Sequence, residues 1–147
     1  TRLEGLIATE CRQRGVTLHI TQPPAPIYVK GNLDQLAQVA LNIALNGLKA
    51  LEQSGDLLEV TLSCAPSGDK HPVACLTFAN NGPQIHEEEL EKIFDPFHTT
   101  SKGNTGLGLS ISSRIARHHD GYIEVANRDQ GVVFTLRLPC TPTAQTR

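Results

Sequence analysis

The alternation of apolar and polar positions predicts a mixed succession of helices and strands. Apolar residues recur at spacings of three and four over residues 3–14 and, for much longer, from Asn32 to Gln53, which indicates two amphipathic helices. Residues 86–93 predict a short acidic helix, and residues 107–119 predict another amphipathic one. Strands are predicted where the period is two or where short apolar runs lie between turn residues: 16–21, 27–30, 57–65, 73–80, 122–127 and 132–138.

The order of these elements favours an α+β fold. Strands 57–65 and 73–80 are expected to form a hairpin, and the last two strands another, through the turn from Asn127 to Gly131. Antiparallel pairs at both ends of the chain do not suit a doubly wound sheet. We therefore expect a two-layer sandwich in which a mixed, mostly antiparallel sheet packs on three helices.

Composition limits the classes of function. The 147 residues include 39% hydrophobic and 19% charged residues, as in a globular domain, and the net charge of −2 provides no basic surface for nucleic acid. We expect a soluble, cytoplasmic fragment of a longer protein, whose membrane anchoring stays open. Residues 1–140 are expected to form one domain, and residues 141–147 a disordered polar tail.

Four cysteines are present, and none of them forms a CxxC pair, so a zinc site is not expected. Cys64 and Cys75 fall on two strands predicted to pair, which leaves open that they are neighbours. Reduced thiols are favoured over a disulfide between them, as in most cytosolic proteins.

A glycine-rich turn precedes the helix at residues 107–119. Gly106 and Gly108 lack a Cβ and allow a ligand close to the backbone, and the helix that follows offers unpaired N–H groups and a positive dipole end. These features are typical of a phosphate site. The turn is neither a Walker loop nor a good dinucleotide fingerprint.

The long helix carries a polar stripe with two asparagines one turn apart. Asparagine is a poor helix former, and the stripe holds no acid and a single base, unlike an ordinary solvated face. Amide oxygens can bind Mg²⁺ without adding negative charge beside a nucleotide. A solvated face and a functional stripe both remain open at this point. The stripe comprises Gln35, Gln38, Asn42, Asn46, Lys49 and Gln53.

Four sequence blocks, in this order, resemble the ATP-binding catalytic domain of sensor histidine kinases, within the ATPase superfamily of gyrase, Hsp90 and MutL. LNIALNGLKAL is similar to the asparagine box, ANNGPQI to the first glycine box, IFDPFHTT to the phenylalanine box and TGLGLSI to the second glycine box. HHDGYIEV and GVVFTLRLP resemble the closing hairpin. The resemblance covers nearly the whole chain and implies a Bergerat-type fold with an ATP lid.

The resemblance also implies roles for residues. Asn42, Asn46 and Lys49 would be catalytic, with Asn46 as the Mg²⁺ ligand and Lys49 reaching a phosphate. Asn42 stands where gyrase-like relatives have a catalytic glutamate, and an amide cannot act as a general base, which argues against simple ATP hydrolysis. Residues 95–105 would form the lid. The implied nucleotide-binding set is Asn46, Lys49, Asn80, Gly82, Gln84, Ile85, Phe94, Phe97, Thr99, Thr100, Lys102, Thr105, Gly106, Leu107, Gly108 and Leu109.

The first glycine box departs from the family pattern. Asn80 replaces an aspartate that accepts a hydrogen bond from the adenine amino group, and Gln84 places a side chain where the family has glycine. One alternative is that the domain still binds ATP and Mg²⁺, which is favoured because the phosphate half of the nucleotide site keeps the family pattern. The other is a degenerate domain with weak or no ATP binding that serves as a regulatory or docking module.

The resemblance implies two protein partners. One is a helical dimerisation domain of the same protein, which carries the phosphoacceptor histidine, and the other is the receiver domain of a response regulator. None of the six histidines in the chain is expected to be the acceptor. The fragment is expected to be monomeric, its parent a homodimer, and nucleic acid is not an expected partner.

Overall fold

A computed structural model describes residues 2–67, 70–95 and 108–141 of the chain. Two long helices and one short helix precede the last helix, and six strands lie between and after them. The helices are α1 (Arg2–Gln13), α2 (Leu33–Ala50), α3 (Glu87–Leu90) and α4 (Gly108–His118). The strands are β1 (Thr17–Thr21), β2 (Tyr28–Val29), β3 (Leu57–Ser67), β4 (Lys70–Asn80), β5 (Tyr122–Asn127) and β6 (Val132–Thr141).

The strands form a mixed sheet in the order β1-β3-β4-β6-β2, and β5 also pairs with β6. Only the pairing of β1 with β3 is parallel among the described strands, and the pairings β3–β4, β4–β6, β5–β6 and β2–β6 are antiparallel. The sheet is open rather than closed. The predicted mixed, mostly antiparallel sheet is confirmed.

Helices α1, α2 and α4 pack on one face of this sheet, which confirms the predicted two-layer sandwich. Alternate residues of each strand point into the core because the side-chain period of a strand is two. The most deeply buried large side chains come from α2 and from the central strands, namely Val39, Ile43, Leu48, Leu58, Phe78, Val132 and Phe134. Ile7 of α1 and Ala116 of α4 complete the same cluster.

Several boundaries differ from those predicted. Helix α2 begins as predicted but ends at Ala50, because the backbone N–H groups of Glu52 and Gln53 donate to carbonyls three rather than four residues earlier. Helix α3 has only four residues, since turns follow Glu91. Strands β3 and β4 extend into the segment predicted as their connecting loop. Strand β5 has the predicted bounds.

Cys64 and Cys75 are not neighbours in the sheet. In the register of β3 and β4, Cys64 lies opposite Ala74 and Cys75 lies opposite Ser63, so the two thiols point to opposite faces of the sheet. Cys64 Sγ instead lies 3.4 Å from Cys140 Sγ of β6. All four cysteines are free thiols, in agreement with the favoured alternative.

Candidate nucleotide-binding site

Helix α2 provides the polar stripe, and its two ends differ from its middle. Asn32 caps the helix as predicted, since its Oδ1 accepts a hydrogen bond from the backbone N–H of Gln35 at 3.0 Å. The side chains at both ends of the stripe are exposed, whereas Asn42, Asn46 and Lys49 in the middle are half-buried. A purely solvated face would be exposed throughout, so the middle of the stripe faces other parts of the protein.

Helix α4 covers this middle part and runs antiparallel to α2. The direction follows from two contacts between the helices. At one end, the backbone N–H of Asn32 donates to Nε2 of His119 at 3.1 Å, which places the start of α2 at the end of α4. Further along, Asn42 Nδ2 donates to Ser112 Oγ at 3.2 Å, and Ser112 is fully buried.

His119 links the two helices through both ring nitrogens. Because a backbone N–H can only donate, Nε2 of His119 accepts from Asn32, and Nδ1 donates to Ile115 O at 2.8 Å. The sequence did not predict this contact, because Asn32 and His119 lie 87 positions apart.

The antiparallel packing places Asn46 beside the N-terminus of α4. Because the helices are antiparallel, one turn forward from Asn42 along α2 leads to Asn46, and one turn back from Ser112 along α4 leads to Gly108. Asn46 and Gly108 therefore correspond in the packing of the two helices. The first N–H groups of α4 have no partner within the helix, and no acidic residue occupies its first turn. The positive end of the helix dipole and the Asn46 amide thus lie on the same side of the molecule.

Two polar side chains at this phosphate end have no partners among the residues that the structure describes. In the ranges 2–67, 70–95 and 108–141, the side chains of Asn46 and Lys49 make no hydrogen bond or ion pair. A half-buried amide oxygen and an ammonium group that are both free can bind a ligand without breaking a native contact. An amide oxygen is also a suitable single protein ligand for Mg²⁺, which normally takes its other ligands from water and phosphate.

Asn80, at the end of β4, forms the opposite end of the site. It is 1% exposed, and its Oδ1 accepts a hydrogen bond from the backbone N–H of Gly82 at 2.9 Å. The α2 backbone at Gly47 lies against it, since a Cβ added there would stand 3.5 Å from Asn80 Nδ2. Asn46 and Gly47 are consecutive, so a single turn of α2 connects the phosphate end with this base end.

The glycine-box loop is held to the start of β3 by Asn81, a residue to which the sequence assigned no role. Asn81 Oδ1 accepts from the backbone N–H groups of Asp56 and Leu57, each at 2.9 Å, and its Nδ2 donates to the Asp56 carboxylate at 3.1 Å. Gly55 has a φ of 96° and approaches Asn81 closely enough that a Cβ would stand 2.7 Å from its Oδ1. This bonding shapes the loop that carries Gly82.

Asn127, at the end of β5, is a second asparagine that sequence reasoning missed. Its side chain accepts from the backbone N–H of Ile85 at 2.8 Å and donates to the carbonyl of Ile85 at 2.6 Å. Gln84 is exposed and donates through Nε2 to the carbonyl of Arg128 at 2.6 Å. The Gln84 side chain is thus hydrogen-bonded to the β5–β6 turn. The segment after Gly82 is held by hydrogen bonds at both Gln84 and Ile85.

The remaining predicted site residues divide into two groups. Ile85 and Phe94 pack partly buried against the core, and Leu109 of α4 is buried, so all three support the site with apolar contacts. The other group lies outside the described residues and comprises Phe97, Thr99, Thr100, Lys102, Thr105, Gly106 and Leu107. The lid predicted at residues 95–105 lies there too, apart from Asp95.

Membrane insertion has no support in the described helices. Even α2, the longest of those in residues 2–67, 70–95 and 108–141, lacks the length and apolar character that a membrane span needs.

Comparison with known proteins identifies relatives of the whole chain. The sensor histidine kinase ZraS of Escherichia coli K12 is 33% identical over 139 residues, which are 94% of this chain but 29% of ZraS. The two-component sensor PprA of Pseudomonas aeruginosa is 34% identical over 145 residues, 96% of this chain and 16% of PprA. The chain thus spans less than a third of the length of these relatives.

A solved structure of a histidine kinase catalytic domain has the same fold as this chain. The catalytic domain of histidine kinase ThkA in a nucleotide-free form has a TM-score of 0.79 and 32% identity, and the match covers 96% of this chain and 90% of that domain. A profile of histidine kinase-, DNA gyrase B- and HSP90-like ATPases matches residues 31–142, which include α2, both glycine boxes and the closing hairpin. The chain therefore belongs to the family of histidine kinase-, DNA gyrase B- and HSP90-like ATPases.

Proposed function

We propose that this chain is the ATP-binding catalytic domain of a two-component sensor histidine kinase, which positions Mg-ATP for phosphoryl transfer to a histidine on a separate dimerisation domain. The observation that carries the proposal is the antiparallel packing of α2 and α4, which directs the Asn46 turn of α2 towards the N-terminus of α4. The similarity to ZraS, PprA and ThkA supports a kinase within the broader family.

In this mechanism the chain binds and orients the nucleotide, and the acceptor lies elsewhere. The N–H groups of α4 and the Lys49 ammonium hold the phosphate oxygens, while Asn46 would hold Mg²⁺ through its amide oxygen. When bound, the metal neutralises charge that develops on the phosphate oxygens. Phosphoryl transfer depends mainly on such positioning and electrostatic stabilisation, which this set of groups can provide.

Asn42 distinguishes the proposed kinase domain from a domain that only hydrolyses ATP. Its amide donates to the buried Ser112 hydroxyl and so links α2 to α4. An amide has no basic group with which to activate water, and this one is already used in the helix contact. The nucleotide is therefore expected to persist in the site until an acceptor domain docks. The receiver domain of a response regulator would take the phosphoryl group from that acceptor.

The second candidate is a degenerate domain that binds nucleotide weakly and serves as a docking module. One contact favours it: Asn80 Oδ1, the atom expected to accept from adenine, already accepts the Gly82 N–H. The oxygen keeps a second lone pair, so this contact weakens adenine binding without abolishing it.

Calorimetric titration with Mg-ATP and Mg-ADP tests the proposal. We expect saturable binding of both by the chain, tighter binding after Asn80→Asp, and no phosphohistidine on the isolated chain. Addition of the parent's helical domain should then produce phosphohistidine on that domain. Absence of any nucleotide binding by both the native chain and Asn80→Asp would favour the degenerate module instead.

A further inference from the structure

Two thiols from different strands meet on the helix side of the sheet. Cys64 of β3 lies opposite Ala74 of β4, and Ala74 lies opposite Leu138 of β6. Cys140 follows Leu138 by two positions, so both cysteines point to the same face as this core residue. The two Sγ atoms are 3.4 Å apart. The pair therefore presents two sulfur atoms side by side.

The backbones that carry these thiols are too far apart for a disulfide. Strand β4 lies between β3 and β6, so Cys64 and Cys140 are separated by two strand spacings, or roughly 9 Å. A disulfide requires Cα atoms no more than about 7 Å apart. Oxidation to a direct S–S bond would therefore displace the strands, whereas an ion held between the two sulfur atoms would not.

The spacing of the sulfur atoms suits a single metal ion. At a metal–sulfur distance of about 2.3 Å, two thiolates on one ion stand roughly 3.8 Å apart at a tetrahedral angle and about 4.6 Å apart when linear. The observed 3.4 Å is the spacing of two thiols in mutual contact, and a small rotation of the exposed Cys64 side chain widens it. On binding, both thiol protons leave to solvent, and no electron is transferred.

The number of ligands selects the kind of ion. Soft thiolate ligands favour Cu(I) and Zn²⁺. Zn²⁺ takes four ligands, and residues 2–67, 70–95 and 108–141 contain no group of three or more histidine, cysteine or acidic side chains that could hold a metal ion. Cu(I) forms stable complexes with two thiolates alone. We propose that Cys64 and Cys140 form a two-coordinate site for Cu(I), which shares no residue with the candidate nucleotide site.

The two cysteines differ in exposure in a way that serves such a site. Cys64 is exposed, so an ion can reach its sulfur from solvent, whereas Cys140 is 4% exposed and is shielded from competing water. Burial raises the pKa of the Cys140 thiol to about 11, so binding must displace its proton and the affinity should increase with pH. Cys75 lies on the other face, where its Sγ accepts from Arg137 at 3.2 Å.

Competition titration of the chain with Cu(I) and a coloured Cu(I) chelator, in the absence of oxygen, tests the site. We expect the native chain to bind one Cu(I) at this pair. Cys64→Ser and Cys140→Ser should each lower the affinity about tenfold or more, because each removes one of two ligands. Cys75→Ser is the matched control and should keep the native affinity. Circular dichroism checks the fold of each variant.

Cys140→Ser distinguishes a two-thiol site from casual binding to an exposed thiol. If this variant keeps the native affinity, Cu(I) binds to Cys64 alone and the inference is overturned. An equal loss in Cys75→Ser overturns it as well. X-ray absorption at the copper edge of the native complex does not depend on the folding of any variant. It should count two sulfur ligands, and any other number, or failure of the native chain to bind Cu(I), contradicts the proposed site.

Discussion

The two ends of the candidate site use their polar side chains in opposite ways. At the phosphate end, Asn46 and Lys49 are half-buried and have no partner in the described parts of the chain. At the base end, Asn81 and Asn127 each make two hydrogen bonds to backbone groups at 2.6–2.9 Å, and Asn81 also donates to the Asp56 carboxylate at 3.1 Å. Asn80 lies between these extremes, since its Oδ1 accepts from the Gly82 N–H and its Nδ2 has no acceptor among the described residues.

This contrast distinguishes side chains that are expected to affect ligand binding from side chains that are expected to affect stability. Free polar groups on a preformed surface can be removed without loss of a native contact, so their removal changes ligand affinity alone. Groups that satisfy the backbone belong to the fold, and their removal leaves buried or half-buried donors and acceptors unpaired. Substitutions at the two ends are therefore expected to produce different measurable effects.

Asn46→Ala should have the largest effect. Loss of the amide oxygen removes a ligand for Mg²⁺ and a polar contact to phosphate, and nucleotide affinity should fall about tenfold to a hundredfold. The free energy of unfolding should not decrease, because alanine is the better helix former. Calorimetry and urea denaturation measure the two quantities. Gln38→Ala, on the exposed part of the same stripe, is the control, and an equal loss of affinity there would contradict a specific role for Asn46.

Asn127→Ala should show the reverse pattern. It leaves the N–H and the carbonyl of Ile85 without their partners, and we expect about 1–3 kcal/mol of destabilisation in urea denaturation. Gln130→Ala, an exposed position in the same turn, serves as the control. If the two variants unfold at the same urea concentration, the base end is not held by Asn127.

Ser112→Ala tests the link between the two helices on which the phosphate end depends. Asn42 loses its acceptor, and the expected destabilisation is about 1 kcal/mol, typical of one hydrogen bond. A small decrease in nucleotide affinity should accompany it, because α4 is then less well positioned. Ser113→Ala is the control, because it removes the same hydroxyl group at a half-buried neighbouring position. Equal effects of both substitutions would rule out the Asn42–Ser112 bond as the cause.

A pH-dependent effect on stability, separate from both ends of the site, is expected at Cys140 of β6. Burial, with a smaller contribution from the hydrogen bond to Cys64, raises the pKa of the Cys140 thiol from 9.0 to about 11. A pKa raised on folding means that the stabilisation is complete below pH 9.0 and is lost as the pH rises to about 11. The stability difference between the native chain and Cys140→Ala should narrow over that range. A constant difference would indicate that the thiol does not titrate in the folded protein.

The main elements of the fold could be predicted because they depend on local patterns. The apolar period of three to four residues identified α2, and Asn32 was recognised as its cap from its position before that pattern. The alternation in β5 gave its bounds without error. Predictions that depended on register were weaker, because a shift of one residue moves a side chain to the other face of the sheet. Cys75 is the example, since it faces away from Cys64.

The candidate site was predicted in part. The asparagine stripe and the glycine turn of the second box were identified from residue patterns, and the first glycine box through resemblance to a family whose membership is confirmed. The hydrogen bonds of Asn81 and Asn127 were not predicted, because their partners lie 25 and 42 positions away in the chain. The bond from Gln84 to the Arg128 carbonyl was missed for the same reason.

The sequence by itself determined where helices and strands form, since periodicity and capping act over a few residues. It also determined which residue types stand in each glycine box, including Asn80 in place of aspartate. Only the tertiary structure decided which atom of the Asn80 amide pairs with the Gly82 N–H and how α2 and α4 pack against each other. The physical reason is that a hydrogen bond is directional: its partners depend on packing between elements that are distant in the chain, and that packing has no local signal.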